Sequence, residues 1–359
     1  MLHKFAKIKE QIPSCINDYN IILVANVREK TTDFQDYSGT SVISEFLTLT
    51  QYELIIDTLR NIGFEVSSYF DENEFIKDCI SNDYYRNSGK QAIVINTAQK
   101  GTAVGRKSLI PAFCDLNGLW HSNSNAYIVS LTRNKFHCDC ILKANGFPTT
   151  KEYWYFPDTG WFLGQCPCYG EKVIAKLNSE TSSIGITDEN VFFYEKSKEN
   201  FVQKLASNYR QPVIVQSFIE GYEVEVPILI DGNESEIVLP VGISVDDNIC
   251  LKETILDYEI RKNLKFGFYN YELHNGNISS ELEKCSKDVV KLLGIEGFGR
   301  VDYRIDMNGN FYITDIAANP HLTKGMSFNF GFEENGMQYQ DMLETLIALT
   351  ISRYKRRLL

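Results

Sequence analysis

The sequence predicts an α/β protein that continues into α+β structure, and three observations support this. Apolar strands alternate with helical spacings over the first 120 residues, short strands and helices mix in the middle, and the last third is rich in strands before it becomes helical. Alternating strands and helices are typical of a parallel sheet covered by helices. With 359 residues and about 150 residues per domain, we expect two to three domains, divided as 1–120, 121–211 and 212–359.

The first domain is predicted from apolar strands separated by amphipathic helices. Apolar residues at helical spacing precede Gly63, which stands where a glycine commonly ends a helix. The predicted elements are strand Asn20–Val27, helix Ser44–Ile62, strand Glu65–Tyr69, helix Asp71–Ile80 and strand Ala92–Thr97.

The remaining elements follow from the same patterns. For residues 121–211 they are helix Lys135–Ala144, strands Glu152–Phe156 and Lys172–Leu177, the turn-rich loop Asn178–Ile186 and helix Ser197–Tyr209. For residues 212–359 they are strand Pro212–Ile219, an antiparallel pair Glu223–Asp231 and Glu236–Val245, helix Ser280–Leu293 and helix Tyr339–Arg356. We expect Ser280 and Glu283 to form a capping box at the start of their helix, and Gly294 to end it.

Composition excludes several classes of protein. The chain is 43% hydrophobic and 23% charged, with a net charge of −11, which argues against nonspecific binding to nucleic acid or to anionic membranes. No apolar run reaches the roughly 18 residues of a spanning helix, and the N-terminal segment lacks the apolar region of a signal peptide. We therefore expect a cytoplasmic protein whose nine cysteines are mostly reduced.

The segment Arg300–Ala317 predicts a hairpin with chemical consequences. Asn308-Gly309 between alternating strands is a strong signal for a two-residue type I′ turn. The resulting register places Asp302 directly opposite Asp315, where two ionised carboxylates repel unless a cation lies between them. Oxygen ligands favour Mg²⁺ or Mn²⁺, and a solvent-exposed acidic pair is the alternative. In the same register the apolar face holds Val301, Tyr303 and Ile305 opposite Ile316, Thr314 and Tyr312, and the other face also pairs Arg304 with Ile313 and Asp306 with Phe311.

Other motifs are weaker or absent. The Lys176 strand runs into a small-residue loop, Ser182-Ser183-Ile184-Gly185, where backbone N–H groups either approach phosphate oxygens or form a plain turn. Glu223 and Glu225 alternate along a strand and share one face. There is no P-loop motif, and the cysteine pairs have C-x-C spacing, which argues against zinc.

Together and in order, these segments resemble the ATP-grasp superfamily and, within it, the D-alanine–D-alanine ligase family. The resemblance runs from about Asn96 to Leu349 and is strongest around Lys135 and in the blocks Val173–Ile186, Val213–Val226 and Gly297–Thr323. It implies an ATP-grasp fold with an N-terminal Rossmann-like domain, a small lobe over residues 121–211 and a C-terminal catalytic lobe over residues 212–359.

The resemblance also implies a nucleotide site. Lys135 and Lys176 would hold the phosphates of ATP, with Ser182 and Ser183 in the loop that closes over them. Glu223 would bind the ribose. The adenine pocket would be formed by Gln216, Ser217, Phe218 and Ile219. The Mg²⁺ (or Mn²⁺) ligands would be Asp302 and Asp315, with Asn319 as the candidate for a third.

The catalytic roles implied by the resemblance concern charge. Arg300 would stabilise the transferring phosphoryl group and the tetrahedral intermediate, and Arg261 lies in a segment similar to the loop that covers the site in the family. Glu45, expected to open the first helix, would bind the ammonium of the first substrate.

The implied reaction joins a carboxylate, that of an amino acid, to an amine through an acyl phosphate. It gives a dipeptide-like amide with release of ADP and phosphate. The resemblance further implies small-molecule substrates and a homodimer, without nucleic-acid or membrane partners.

Three departures from the family pattern leave alternatives open. Asp315 stands where the family usually has Glu, and Ala317 stands where it has an Asn ligand, so the alternative is a catalytically impaired protein that binds nucleotide and acts in regulation. In the segment Gly101–Lys107, Arg106 and Lys107 replace an acidic motif. They either attract a substrate carboxylate or are exposed surface cations.

Overall fold

The computed structural model describes residues 5–82 and 89–358, and begins with a four-stranded parallel sheet. Its strands are β1 (Tyr19–Val24), β2 (Glu65–Tyr69), β3 (Gln91–Asn96) and β4 (Trp120–His121), in the spatial order β2-β1-β3-β4. Its helices are α1 (Leu49–Ile62), α2 (Glu72–Ser81) and α3 (Leu109–Asn117). All three strand pairs are parallel, so the predicted α/β architecture of this region is confirmed.

The helix after β1 begins later than the sequence predicts. The Thr48 side chain accepts a hydrogen bond from the N–H of Gln51, and the Gln51 side chain accepts one from the N–H of Thr48. This capping box begins α1 at Leu49, while Glu45 lies in a separate 3₁₀ turn, Val42–Glu45. The predicted start at Ser44, and with it the placement of Glu45 at the opening of the helix, is therefore wrong.

The second sheet is antiparallel, and three helices lie in the same stretch of the chain. The strands are β5 (Glu152–Phe156), β6 (Gly160–Trp161), β7 (Lys172–Leu177), β8 (Val191–Phe193) and β9 (Val213–Ser217), in the order β6-β5-β9-β7-β8. The helices are α4 (Ala126–Arg133), α5 (Lys135–Ala144) and α6 (Glu199–Tyr209). Val202 and Ala206 of α6 are buried in one core with Val173 and Val215 of the sheet. The predicted mixture of strands and helices is confirmed here.

The third sheet is also antiparallel and has six strands. They are β10 (Gly221–Asp231), β11 (Glu234–Ile237), β12 (Val241–Val245), β13 (Phe266–Asn270), β14 (Gly297–Asp306) and β15 (Phe311–Ala317). The order is β13-β12-β10-β14-β15, with β11 also paired to β10. The helices are α7 (Gly276–Leu293), α8 (Ser327–Glu334) and α9 (Tyr339–Arg357). The predicted strand Glu236–Val245 is in fact two strands, separated near Pro240, which lacks the N–H that a continuous ladder needs.

The start of α7 also differs from the prediction. The Asn275 side chain accepts a hydrogen bond from the N–H of Ile278, which begins the helix at Gly276. Ser280 lies inside the first turn, where its hydroxyl donates to the carbonyl of Gly276. The capping box of Ser280 and Glu283 is therefore wrong, whereas Gly294 ends the helix as predicted, with a φ of 72°.

The hairpin of β14 and β15 has a longer turn than the sequence predicts. Ile305 pairs with Phe311, and Gly309 has a φ of 88° while Asn308 lies outside the left-handed region. The Asp306 carboxylate accepts hydrogen bonds from the N–H groups of Asn308 and Asn310 and so stabilises a three-residue loop. The predicted type I′ turn, which needs positive φ at both central residues, is wrong.

A bulge then restores the predicted pairing near the site. The register shifts between Asp302 and Tyr303, so Asp302 lies opposite Asp315 as predicted, whereas Tyr303 pairs with Ile313. Thr314 is the extra residue, and its hydroxyl donates to the carbonyl of Asp302. Ile313 therefore takes the core position predicted for Thr314. Between the bulge and the turn, the longer turn shifts the pairing by one residue. Three predicted pairs are therefore wrong: Arg304–Ile313, Ile305–Tyr312 and Asp306–Phe311.

Helix α9 joins the first and third sheets through one apolar core. Met342 and Leu346 of α9 are buried with Ile93 of β3 and with Leu229 and Phe298 of the third sheet. This shared core fixes the first sheet against the third. Among the described residues, no helix is long and apolar enough to span a membrane. No disulfide joins the nine cysteines.

Candidate active site

A single cleft gathers the side chains that the sequence singles out. It lies between the second and third sheets and encloses about 1380 Å³, part of it open to solvent. Its lining includes all but one of the predicted site residues: Lys135, Lys176, Ser182, Ser183, Gln216, Ser217, Phe218, Ile219, Glu223, Arg261, Arg300, Asp302, Asp315 and Asn319. Glu45 is the exception, and it borders a smaller cavity next to the cleft.

Three neighbouring strands place three carboxylates in one row. Glu225 of β10 lies opposite Asp302 of β14, which lies opposite Asp315 of β15. The Arg300 guanidinium binds both oxygens of Asp302, at 2.7 and 2.8 Å, and its third nitrogen lies 2.9 Å from Glu225. Burial raises the pKa of Asp302 to about 7 against the opposing charge of Arg300, and Glu225 adds to the rise. Asp302, in the middle of the row, is thus incompletely neutralised by Arg300.

The Asp302–Asp315 pair fits a divalent cation that also binds phosphate. Within residues 5–82 and 89–358, no three His, Cys, Asp or Glu side chains are grouped so as to hold a metal ion. Mg²⁺ is commonly held by one or two carboxylates together with phosphate oxygens and water, which is the donor set that this pair would offer. Asn319 lines the same cleft, with its amide nitrogen 3.5 Å from the carbonyl of Asn96, and Ala317 contributes only a methyl group.

Two lysines lie beside the carboxylates. Lys135 begins α5, where its ammonium donates to the carbonyl of Glu180 at 2.8 Å and lies 3.5 Å from Asp315. Lys176 projects from β7, and within the described part of the chain no acceptor is hydrogen-bonded to its ammonium. Burial lowers the pKa of Lys176, although Asp315 opposes the change. A half-buried ammonium without an acceptor, in an open cleft, is suited to an anionic ligand.

The loop after β7 is strained in the way that functional loops often are. Ser182 and Ser183 have φ values of 52° and 56°, in the left-handed region that serine seldom adopts. The Ser183 hydroxyl donates to the carbonyl of Leu256 and accepts from Arg261 Nε at 3.1 Å. A Cβ atom at Gly185 would lie 2.7 Å from Leu177 Cδ1 and the φ of Gly185 is 77°, so another residue there would be strained and would displace the Leu177 side chain.

In the segment predicted to bind adenine, the side chains of Gln216 and Ser217 are hydrogen-bonded to neighbouring parts of the protein. The Gln216 amide donates to Glu152 at 3.4 Å and the Ser217 hydroxyl to Glu171 at 2.7 Å, so these side chains are engaged within the protein. Phe218 lies under the guanidinium of Arg304, whose carbon is 5.1 Å from the ring centroid.

Arg304 connects this segment to the third sheet. Its guanidinium donates to the carbonyls of Ile219 and Thr254, at 3.1 and 3.3 Å, and to the Glu223 carboxylate at 3.3 Å. No role is predicted for Arg304 from the sequence. The signal was present, because Arg300, Asp302 and Arg304 alternate along one strand and so share a face.

Glu45 lies in a buried cluster of charges rather than in the cleft. One carboxylate oxygen is 3.1 Å from Arg106 Nη2, and the other accepts a hydrogen bond from the Thr181 hydroxyl. Glu180 binds two nitrogens of Arg106, at 3.0 and 2.6 Å. Arg106 and Lys107 are only 5% and 9% exposed, so the alternative that they are surface cations is wrong.

The chain is similar to a family of ligases over more than half of its length. Residues 150–348 match the family described as "D-ala D-ala ligase C-terminus". The chain is 24% identical over 318 residues to a D-alanine–D-alanine ligase of Haemophilus ducreyi, covering 88% of this chain and 96% of that protein. It is 27% identical over 240 residues to one of Borreliella burgdorferi, covering 64% of this chain and 63% of that protein.

Solved structures show the same fold. A D-alanine–D-alanine ligase from Bacillus anthracis in complex with ATP superposes with a TM-score of 0.70 at 15% identity, covering 94% of this chain and 99% of that one. The VanG D-Ala:D-Ser ligase from Enterococcus faecalis gives a TM-score of 0.64, covering 92% and 99%. These likenesses confirm the fold class that the resemblance of the sequence implies.

Proposed function

Since this chain belongs to the D-ala D-ala ligase C-terminus family, we propose that it is an ATP-dependent ligase. It joins a carboxylate to an amine and releases ADP and phosphate. The observation that supports this most directly is the position of Arg300, which bridges Asp302 and Glu225 in the cleft that Lys135 and Lys176 also line. The named relatives favour an active ligase over the alternative of an impaired nucleotide-binding protein.

The nucleotide would lie along the edge of the second sheet. Lys135 and Lys176 are the cations for its phosphates, and the strained loop at Ser182 and Ser183 offers backbone N–H groups to them. Glu223, held by Arg304, is placed for the ribose. When bound, Mg²⁺ held by Asp302 and Asp315 would neutralise phosphate charge.

The reaction needs positioning and charge neutralisation more than covalent chemistry by the protein. A substrate carboxylate attacks the γ-phosphate, and ADP leaves. The amine then adds to the acyl phosphate, loses a proton and expels phosphate, leaving an amide. Arg300 stabilises the negative charge that develops at both stages. Arg261 lies on the other side of Glu225, with a guanidinium nitrogen 3.9 Å from the Glu225 carboxylate.

The test is ADP release in the presence of ATP, Mg²⁺ and pairs of D- and L-amino acids, with mass spectrometry of the products. We expect release that requires both an acid and an amine, and an amide product. Lys176→Met should slow it at least a hundredfold, because the unpaired ammonium is lost, whereas Lys204→Met on the exposed face of α6 serves as the matched control. ATP binding without release for any pair would contradict the proposal.

The metal assignment has its own test. Asp302→Asn should abolish the ADP release that Mg²⁺ supports. Unchanged release in this variant would show that Asp302 holds no metal.

We extend the proposal to a homodimer, which the resemblance to the ligase family implies. Light scattering after size-exclusion chromatography should give twice the 41.1 kDa mass of the chain. A single-chain mass at micromolar concentration would exclude it.

A further inference from the structure

A small cavity adjoins the cleft on the side of the first sheet. It is narrow, with about 20 Å³ of space, which is room for about one water molecule, and it shares Lys107, Asn319, Pro320 and His321 with the cleft. Its inner wall is formed by Thr97 and Gln99, which follow β3, and by apolar side chains. A molecule reacting in the cleft can therefore meet Lys107, which lines both spaces, while the cavity behind Lys107 admits only a water-sized group.

Glu45 borders this cavity, but its carboxylate is already neutralised. Arg106 is 3.1 Å away, Arg133 3.6 Å and Lys107 4.0 Å, and the Thr181 hydroxyl donates to it. Burial would raise the pKa of Glu45, but these cations hold it below its ordinary value. The side chain is fully shielded from solvent, so it is poorly placed to receive the ammonium of a substrate.

Positive charge exceeds negative charge in this cluster. Among the described residues, the carboxylates within 4.0 Å of Arg106, Arg133 and Lys107 are those of Glu45 and Glu180. Every one of these side chains is at least 89% buried, so solvent cannot screen the difference. One cation, whenever all three basic groups are protonated, is left without a counter-charge.

Lys107 is that cation. Its nearest carboxylate oxygen is 4.0 Å away, beyond hydrogen-bond distance, and within residues 5–82 and 89–358 its ammonium makes no hydrogen bond. Burial lowers its pKa to about 7, and the neighbouring Arg133 and Arg106 add to that effect. Since Lys107 lines both the cleft and the small cavity, an anion arriving from the cleft meets it directly.

Neutral polar groups without partners line the rest of the cavity. Gln99 Oε1 and Thr97 Oγ1 are buried and have no hydrogen-bond partner among the described residues. Gln99 is 3% exposed. Buried polar atoms are seldom left unpaired, and because Gln99 Oε1 can only accept, it indicates that a small hydrogen-bond donor completes the cavity.

We propose that Lys107 binds a second carboxylate of the acid substrate, so that the substrate is a dicarboxylic acid. One carboxylate reacts beside Arg300, and the other lies at Lys107, where the cleft meets the small cavity. This inference rests on the proposed ligase function. On this proposal the enzyme selects its acid substrate by a second carboxylate bound at Lys107. Selection by Glu45 would instead have favoured a substrate ammonium group.

The test is direct binding, by calorimetry, to the full chain with Mg²⁺ and a non-hydrolysable ATP analogue. The probes are matched in size and differ in one charge: succinate against succinamate, aspartate against asparagine and glutamate against glutamine, each amino acid in both D and L forms, with D-alanine for comparison. At least one diacid should bind ten to a hundred times more tightly than its amide partner, as expected for a buried charged hydrogen bond.

Three variants assign the preference to Lys107. Lys107→Gln should remove the difference between diacid and amide, and Lys107→Arg should retain most of it. Lys100→Gln removes a lysine of the same segment whose ammonium pairs with Asp71, 3.2 Å away, and should leave the difference unchanged. Binding of the ATP analogue and circular dichroism establish that each variant is folded. Should Lys107→Gln not fold, loss of the preference in Lys107→Ala, or its retention in Lys107→Arg, decides the question.

Two outcomes overturn the inference. In one, amides or D-alanine bind as tightly as the diacids, or Lys107→Gln leaves the preference intact. In the other, no probe binds at all. ADP release measured on the same panel separates the two proposals: diacid binding that depends on Lys107 but gives no ADP supports the Lys107 site and contradicts the ligase. ADP release with neutral amino acids, unaffected by Lys107→Gln, supports the ligase and contradicts the Lys107 site.

Discussion

Replacing Arg304 with methionine tests whether the nucleotide edge is positioned from the third sheet. Arg304 touches neither the carboxylate pair nor the two lysines. Its guanidinium instead holds the carbonyls of Ile219 and Thr254 and the carboxylate of Glu223. Methionine keeps much of the volume and removes all three hydrogen bonds.

The expected cost follows from these contacts. A hydrogen bond from a charged group contributes about 1.5–3 kcal/mol when short. The distances of 3.1, 3.3 and 3.3 Å are long, so we take about 1 kcal/mol for each. Burial lowers the pKa of Arg304 despite Glu223, so removing the charge recovers part of that cost. We expect the free energy of unfolding to fall by about 2 kcal/mol.

The functional effect should exceed the effect of lost stability alone. Ile219 and Glu223 lose their fixed positions, so we expect ATP to bind about tenfold more weakly, which corresponds to about 1.4 kcal/mol. Calorimetric titration with the ATP analogue measures the affinity, and urea denaturation measures stability. Arg356→Met is the control, since Arg356 pairs with Asp231 and is 42% exposed. A loss of stability with unchanged ATP affinity would refute the positioning role.

The remaining predictions concern the third sheet and are measured by denaturation. Gly309→Ala should destabilise the protein by about 1–2 kcal/mol because Gly309 has a positive φ, whereas Asn308→Ala should be nearly neutral. Equal losses of stability in the two variants would instead support the two-residue type I′ turn. The pKa of Asp306 is lowered by its hydrogen bonds from Asn310 and Asn308, although burial opposes this. Its stabilisation should therefore be present above the ordinary pKa and be lost as pH falls through the lowered value, and Asp306→Asn should remove that part of the acid dependence. Gly221→Ala should prevent folding or strongly reduce stability, since its Cβ would lie 2.0 Å from the carbonyl oxygen of Ile305; near-native stability would show that the strands part easily.

The Asp302–Asp315 pairing was predictable although the turn that led to it was not. Asn308-Gly309 is a local signal, and it placed the hairpin correctly. The Asp306 side chain accepts hydrogen bonds within the loop and lengthens it by one residue, and the bulge at Thr314 shifts the register back. The two deviations cancel at Asp302. A local pattern cannot foresee the bulge, since it depends on which side chains the core accepts.

Helix starts show the same limit. Both α1 and α7 are amphipathic over their predicted centres, but their first residues are decided by competing caps. Thr48 is the N-cap residue of α1 and Asn275 that of α7, because the side chain of each accepts a hydrogen bond from a backbone N–H of the first turn. Apolar periodicity carries no information about that competition.

The type of reaction and the choice of substrate are encoded differently in this chain. Residues implied for phosphate and metal binding stand in continuous blocks, such as Arg300 and Asp302, and a linear pattern is enough to find them. The charge cluster is assembled from contacts 61, 74 and 136 residues apart in sequence. Arg106 and Lys107 look like ordinary surface cations until the fold buries them. The charge that Arg106 and Lys107 present to the cleft depends on the balance in the buried cluster, which holds three basic side chains and two carboxylates. Only the fold determines that balance. A substitution at a distant partner such as Glu180 would therefore change the charge presented to a substrate without altering any motif that identifies the reaction.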